Sequence, residues 1–315
     1  MNLRVVFMGS PDFAIPSLRR LVEILPVVGV VTQPDRPAGR GQQLAPPPVK
    51  QLAQKLGLPV FQPERLRRPE AFAQLEAWAP DLIVVAAFGQ ILRQNVLDLP
   101  RFGCINVHGS LLPRWRGAAP IQAALLHGDA QTGATIMKMD AGIDTGAMLA
   151  RRVVEILPTD TTGTLFPRVA AAGADLLVET LPAYLAGSIQ PAAQDEAQAT
   201  YAPMLSKEEG RLDFTQPARA LVNRVRAFNP WPGAVLDWPG GQLKVLAAAA
   251  PDNLSAPAAA PGSRTVLQKL PALRAAHGWL LLEQVQPAGK KAMSGRDFLA
   301  GARNWTDSPS SSQPS

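Results

Sequence analysis

DLIVVAAF, residues 81–88, is a continuous apolar run about as long as one β-strand. A strand without polar alternation is typical of parallel sheets, whose strands are buried on both faces. Three other runs share this character: LRVVFMGS (3–10), VVGVVT (27–32) and GCINVH (103–108). Segments with helical spacing lie between them: SLRRLVEIL (17–25), VKQLAQKLG (49–57) and PEAFAQLEAWA (69–79). Strands that alternate with helices predict βαβ units, an α/β fold and a mostly parallel sheet.

The last third of the chain predicts a second, smaller domain. Residues 187–205 are polar and contain proline, as an interdomain linker does. From 206 to 305 the strand candidates are short and separated by Pro and Gly, with one helix candidate at 219–228, which indicates a mostly β domain such as a barrel. We therefore expect an α/β domain at 1–186, then the linker, the β-rich domain and a disordered polar tail at 306–315.

Composition limits the class of protein. Hydrophobic residues make up 47% of the 315 residues and no run of 18 apolar residues exists, so we expect a globular chain without a transmembrane segment. A single cysteine, Cys104, excludes a disulfide framework and, with no signal peptide in MNLRVVFMGS, predicts a cytoplasmic protein. Residues 206–305 carry 13 Lys and Arg against 7 Asp and Glu, and this local excess suggests a polyanionic partner.

Several common cofactor and metal motifs are missing from the sequence. MGSPDFA (8–14) follows the first strand where a dinucleotide fingerprint would lie, but Gly9 is its only glycine. No G-x-x-x-x-G-K-[ST] loop occurs, and His127 and His277 lie far from any cluster of metal ligands. A nicotinamide enzyme and a metal centre are therefore not expected. Cys104 lies in a strand run and is interpreted as a buried, inert thiol.

Residues 33–48, QPDRPAGRGQQLAPPP, indicate a long loop. The segment contains five prolines and two glycines, which flank Arg40, and it has no hydrophobic periodicity. Loops of this length inside a compact domain are usually functional or disordered.

Polar side chains gather where two strand candidates end. CINVHGSLLPRWRGAAP (104–120) places Asn106 and His108 after one strand, and GATIMKMDAGIDTG (133–146) places two aspartates around a glycine turn after another. Ligands in open α/β sheets bind at the carboxyl ends of strands, so we expect the two segments to meet there. An amide donor, a histidine and an aspartate that orients it are the groups acyl transfer needs. Taken singly, such a His108 is more often a packing residue, Asn106 a turn cap and Asp144 a residue that closes a turn.

The order and spacing of these motifs are similar to the folate-dependent formyltransferases, most closely to their members that act on initiator methionyl-tRNA. The resemblance rests on N-x-H-x-S-L-L-P-x-W-R-G-A-A-P (106–120) followed by G-A-T-I-M-K-M-D-A-G-I-D-T-G. It continues through MGSPDFA (8–14), TQPDRPAGRG (32–41), YAPMLSKEEG (201–210) and NRVRAFNPWPGA (223–234), and so covers nearly the whole chain.

The resemblance implies a Rossmann-like formyltransferase domain followed by an OB-like β-barrel. The implied activity is formyl transfer from 10-formyltetrahydrofolate to initiator methionyl-tRNA. We expect no metal and no membrane, and a monomer needs no extra assumption. The resemblance assigns catalysis to three residues: Asn106, His108 and Asp144. It also implies that the folate pocket is formed in part by Ser110, Leu111, Leu112 and Pro113. The loop with Arg40 would reach the acceptor end of the tRNA.

Two departures from the family pattern concern the polar loops. Gln42 and Gln43 stand where lysines are common, which removes positive charge from the RNA-facing loop. Trp115 replaces a common tyrosine and keeps an aromatic ring.

Other functions stay open at this point. Relatives with the same catalytic domain formylate sugar nucleotides or glycinamide ribonucleotide, or hydrolyse the formyl-folate, and a silent RNA-binding module could keep the fold. The basic C-terminal domain and the Arg40 loop disfavour a small-molecule acceptor. The intact set of three candidate catalytic residues disfavours the silent module.

Overall fold

The computed structural model describes residues 3–38, 43–252, 254 and 258–306. The chain divides into two compact units. The first contains Met1–Pro120, Gln131–Glu155 and Phe166–Pro203, and the second contains Ile121–Ala130, Ile156–Leu165 and Met204–Ser315. The stretch expected as a linker therefore belongs to the first unit as far as Pro203. Of the expected tail, residues 307–315 lie outside the described residues.

Strands and helices alternate in the first two thirds of the chain. In order, the elements up to residue 203 are β1 Val5–Gly9, α1 Ile15–Ile24, β2 Val27–Val31, β3 Arg36–Ala38, β4 Gln43–Ala45, α2 Pro48–Lys55, β5 Val60–Phe61, α3 Pro69–Trp78, β6 Leu82–Ala86, α4 Gln94–Leu97, β7 Cys104–His108, β8 Arg116–Gly117, α5 Pro120–Leu126, β9 Gln131–Lys138, β10 Met148–Glu155, α6 Thr162–Leu185 and β11 Tyr201–Ala202.

A seven-stranded sheet forms the centre of the first unit, in the order β10-β9-β7-β6-β1-β2-β5. The five strands from β7 to β5 run parallel, whereas β9 and β10 form an antiparallel edge. Every residue of β1, β6 and β7 is buried, which is why these strands are unbroken apolar runs in the sequence. The predicted α/β fold with a mostly parallel sheet is confirmed.

Part of the loop expected at 33–48 is a short hairpin, because β3 and β4 pair antiparallel. At its base the Asp35 carboxylate accepts hydrogen bonds from Lys50 Nζ at 2.7 and 2.8 Å and from Gln62 Nε2 at 2.8 Å. The sequence did not predict these strands because their residues neither alternate in polarity nor form an apolar run.

The second unit contains a six-stranded antiparallel sheet in the order β12-β13-β16-β15-β14, with β17 paired to β16. Its elements after residue 203 are α7 Ala218–Ala227, β12 Ala234–Trp238, β13 Gly241–Ala249, β14 Arg264–Leu267, β15 Leu270–Arg274, β16 Trp279–Pro287, β17 Met293–Ser294 and α8 Gly295–Gly301. Leu221 and Val225, four residues apart on α7, enter the core of this unit. The predicted β-rich C-terminal domain is confirmed. Within the described ranges, no helix has the length and apolarity to cross a membrane.

Candidate active site

Strand β7 carries Asn106 and His108 to the site. Side chains alternate along a strand, so these two residues, two positions apart, point to the same face of the sheet. Both are buried, with 9% of Asn106 and 5% of His108 exposed. Strand β9 fixes the register, since Asn106 lies opposite Met137 and His108 opposite Thr135.

The turn between β9 and β10, residues 139–147, carries Asp144. Strand β9 runs antiparallel to β7 and ends with Lys138 opposite Ile105, so the turn does not begin at the carboxyl end of β7 as the sequence argument assumed. Instead the turn brings Asp144 back over the face that carries Asn106 and His108. A Cβ on Gly146 would overlap the carbonyl oxygen of Lys138, so only glycine allows this close return.

The Asp144 carboxylate contacts the other two predicted catalytic residues, Asn106 and His108. Its Oδ1 lies 3.4 Å from Asn106 Nδ2, which donates to it, and its Oδ2 lies 3.5 Å from His108 Nδ1. The backbone N–H of Gly117 also donates to Oδ2, at 2.9 Å. The structure thus brings together all three residues and adds a backbone donor that the sequence did not reveal.

The hydrogen bonds of His108 assign a role to each ring nitrogen. Nε2 lies 2.9 Å from the carbonyl oxygen of Trp115. A carbonyl oxygen only accepts hydrogen bonds, so Nε2 carries the proton. Nδ1 is then the nitrogen that can take up a second proton, and it faces Asp144 at a distance suited to an ion pair. Trp115 and Asp144 both have left-handed backbones, with φ of 63° and 55°, which are strained conformations typical of functional sites.

The SLLP segment forms a tight loop directly after β7. The Ser110 hydroxyl donates to the carbonyl of Arg114 at 2.6 Å, and the Thr135 hydroxyl donates to the carbonyl of Ser110 at 2.7 Å. The same Thr135 oxygen accepts from the Leu112 amide at 3.1 Å. Ser110, Leu112 and Pro113 are buried, whereas Leu111 is half-exposed. Three hydrogen bonds therefore hold the loop, and Leu111 is the only one of its four side chains with a substantial exposed surface.

Cys104 lies on the same strand but is chemically inert. Its side chain is buried, and Sγ donates to the carbonyl of Val96 at 3.7 Å. Burial raises the pKa of this thiol to about 12, so almost no thiolate exists at neutral pH. Among the described residues, no group of three His, Cys, Asp or Glu is placed to bind a metal ion.

The predicted tRNA contact, Arg40, lies outside the described residues, as does Gln42. Gln43 is exposed at the start of β4. The two strands that flank this segment form the hairpin tied at Asp35, so the ends of the Arg40 segment are fixed next to each other.

Sequence reasoning missed three residues around the site: Arg116, Gln194 and Glu196. Arg116 has no exposed side-chain surface and contacts both of the others. Gln194 also reaches the backbone of Asp144. These contacts join positions 50 to 80 residues apart, and no local pattern in the sequence signals them.

The sequence matches two protein families. The family described as Formyl transferase matches residues 4–181, and the family described as Formyl transferase, C-terminal domain, matches residues 204–303. The methionyl-tRNA formyltransferase of Halorhodospira halophila is 52% identical over 308 residues, covering 96% of this chain and 97% of that protein. The methionyl-tRNA formyltransferase of Thiobacillus denitrificans is 54% identical over 303 residues, covering 95% of this chain and 96% of that protein.

A solved structure of lower sequence identity has the same fold. The N-formyltransferase from Helicobacter canadensis in complex with folinic acid and dTDP-3-aminofucose gives a TM-score of 0.65 at 15% identity. The comparison covers 89% of this chain and 98% of that chain.

Proposed function

The chain belongs to the formyl transferase family, and from this premise we propose that it transfers the formyl group of 10-formyltetrahydrofolate to the methionine α-amine of initiator methionyl-tRNA, for translation initiation. One observation supports this reaction most directly: the Asp144 carboxylate lies 3.4 Å from Asn106 Nδ2 and 3.5 Å from His108 Nδ1. The acceptor follows from near-full-length relatives at about half identity, both named methionyl-tRNA formyltransferase.

The surface around Asp144 suits a formyl-folate. Leu111, on the loop after β7, is half-exposed, and Ile143, directly before Asp144, is 66% exposed, so both apolar side chains are available to a bound ligand. When bound, 10-formyltetrahydrofolate supplies a formyl carbon open to attack by an amine. Residues 110–113 line its pocket in this proposal. Because the Ser110 hydroxyl is engaged within the loop, this segment meets the folate through backbone groups and Leu111.

Each of the three polar side chains has a distinct task in formyl transfer. Asn106 directs one amide hydrogen to Asp144, and its second hydrogen is the donor for the oxyanion that develops. His108 takes up the amine proton at Nδ1, because Nε2 is bound to the Trp115 carbonyl. Asp144 stabilises the resulting imidazolium, whose positive charge also lies beside the oxyanion. As the tetrahedral intermediate collapses, the bond between the formyl carbon and the folate nitrogen breaks, and the imidazolium returns its proton to that nitrogen, so tetrahydrofolate leaves. No covalent intermediate is needed, in agreement with the protonated Cys104 thiol.

The two basic regions serve the tRNA in this proposal. The excess of six positive charges in residues 206–305 attracts phosphates and supplies salt-dependent affinity. Arg40, on the segment between β3 and β4, positions the acceptor end for attack. Gln42 and Gln43 add no charge there, so Arg40 carries this task alone in its segment.

We further propose that the enzyme acts as a monomer in the cytoplasm. The three catalytic residues all belong to one chain, so no second copy is required to complete the site. Its tRNA acceptor is used by the ribosome, which works in the same compartment.

An acceptor panel tests the proposed function. Purified protein is incubated with 10-formyltetrahydrofolate and, in separate reactions, with methionyl initiator tRNA, uncharged initiator tRNA, a 3-amino-sugar nucleotide or no acceptor. Formylated product with the charged tRNA alone is the expected result. Product with the amino-sugar nucleotide would instead assign a sugar N-formyltransferase, and free tetrahydrofolate without any acceptor would assign a hydrolase.

A further inference from the structure

Gln194 lies in the stretch expected as a linker, yet its side chain reaches the turn that carries Asp144. Its Nε2 donates to the backbone carbonyls of Asp144 and Gly146, at 2.8 Å each. Its Oε1 accepts from Arg116 Nε at 3.0 Å. Both Nε2 hydrogens are used on the turn and the oxygen is used on Arg116, so the amide has a single satisfied orientation.

The partner of Gln194 is itself fixed. Arg116 has no exposed side-chain surface, and its Nη1 and Nη2 donate to the two carboxylate oxygens of Glu196 at 2.9 and 2.7 Å. These hydrogen bonds hold the pKa of Glu196 below its usual range, so the pair is fully charged at neutral pH. The buried guanidinium is thus hydrogen-bonded at three of its nitrogens. These bonds give Arg116 one satisfied orientation, in which it presents Nε to Gln194.

Asp144 needs such a support because its backbone is left-handed, with φ of 55°. A residue with a Cβ stays in this conformation only where its surroundings determine it. Two contacts contribute to this, one at the side chain and one at the backbone. The Gly117 amide binds the carboxylate at 2.9 Å, and Gln194 binds the carbonyl at 2.8 Å.

The Gly117 contact depends on the same part of the chain as Gln194. Strand β11 pairs parallel with β8, which places Gly117 beside Ala202. Gly117 has φ of 113°, and a Cβ there would lie 2.6 Å from the Ala202 carbonyl oxygen. Residues 194–202 therefore support two of the contacts that hold Asp144, one at its carboxylate and one at its carbonyl.

We propose that Gln194 is a positioning residue for formyl transfer. By binding the carbonyls of Asp144 and Gly146 against Arg116, it keeps the Asp144 carboxylate directed at His108 and Asn106. The inference rests on the proposed function, since Gln194 acts only through Asp144. Residues 194–202 are then part of the catalytic unit rather than a connecting linker.

The test compares Gln194→Glu with wild type in steady-state formyl transfer to methionyl initiator tRNA. Glutamate keeps the size and the acceptor for Arg116 but loses both donors to the turn. We expect kcat to fall about 10- to 100-fold, as misplaced catalytic groups do, with KM for either substrate changed less than about twofold. Gln198→Ala is the matched control, because Gln198 is exposed on the same segment and bonds only to Asp195 among the described contacts. Gln194→Ala gives a second variant that introduces no charge.

A double variant distinguishes positioning from general stabilisation. If Gln194 acts through Asp144, then Gln194→Glu combined with Asp144→Asn is no slower than Asp144→Asn alone. Rate losses that multiply, or wild-type kcat in both Gln194 variants while Asp144→Asn is slow, would overturn the inference and leave the proposed function standing. Wild-type kcat in Asp144→Asn would remove the proposed role of Asp144 and the inference with it.

Discussion

Asp144→Asn keeps the shape of the side chain and removes its charge, so it tests the site with little change in packing. The carboxylate accepts from Gly117 at Oδ2, at 2.9 Å, and from Asn106 at Oδ1, at 3.4 Å. An asparagine has one oxygen and one amino group, so it can accept only one of these donors and presents a donor to the other. His108 Nδ1, 3.5 Å away, loses its counter-charge at the same time.

The lost attraction sets the size of the effect. Two unit charges 3.5 Å apart attract by about 4.7 kcal/mol at an effective dielectric constant of about 20 and by about 1.2 kcal/mol in bulk water. The Asp144 side chain is 17% exposed, so the pair lies between these limits. A loss of about 3 kcal/mol of attraction in the transition state corresponds to a fall of roughly a hundredfold in kcat.

Initial rates at saturating 10-formyltetrahydrofolate and methionyl initiator tRNA measure this change. We expect the fall in kcat with a circular dichroism spectrum like that of wild type and with little change in KM. Asp175→Asn is the control, because it removes a surface carboxylate that pairs with Arg20 and does not touch the site. A folded Asp144→Asn protein with kcat within about threefold of wild type would refute the assigned role, because a loss of about 3 kcal/mol lowers the rate far more than threefold.

Three further predictions concern single side chains. His108→Ala should lower kcat at least about a hundredfold, because the proton acceptor and the imidazolium charge are both lost, and near-normal turnover would reject the three-residue site. Cys104→Ser should keep kcat and lose at most about 1–3 kcal/mol of unfolding free energy. The native thiol, whose pKa is about 12, should resist iodoacetamide at pH 8.5. An inactive folded variant, or rapid labelling of the native thiol, would reopen covalent catalysis. Arg40→Ala should lower kcat on the order of 10²-fold while the exposed control Arg19→Ala does not, and equal rates in both would remove Arg40 from the acceptor site.

The sequence predicts the central sheet well because its information is local. Strands β1, β6 and β7 are buried on both faces, so each is a continuous apolar run, and the helices between them keep one apolar stripe. The same local reasoning singles out Asn106 and His108, because polar side chains inside a buried strand need hydrogen-bond partners. Their assignment as catalytic residues, however, came from the family resemblance, because each one alone has a structural explanation.

The rest of the site depends on contacts that no local pattern contains. The Trp115 carbonyl, which fixes the proton on His108, is a backbone group, and its position follows from a left-handed turn. Gln194 reaches Asp144 across 50 residues of chain, from a polar stretch whose composition is that of a linker. The antiparallel direction of β9 also cannot be predicted from the sequence, because a buried strand is apolar whichever way it runs.

Product stoichiometry in a single turnover tests the central claim most directly. Excess enzyme with 10-formyltetrahydrofolate and methionyl initiator tRNA is quenched at successive times, and formylmethionyl-tRNA and tetrahydrofolate are quantified together. Direct transfer at Asn106, His108 and Asp144 predicts that the two products appear at one rate and in a one-to-one ratio, with both equally slowed in Asp144→Asn. Tetrahydrofolate that appears before or without formylmethionyl-tRNA would contradict the account, because the formyl group would then pass to water or to the enzyme rather than to the amine.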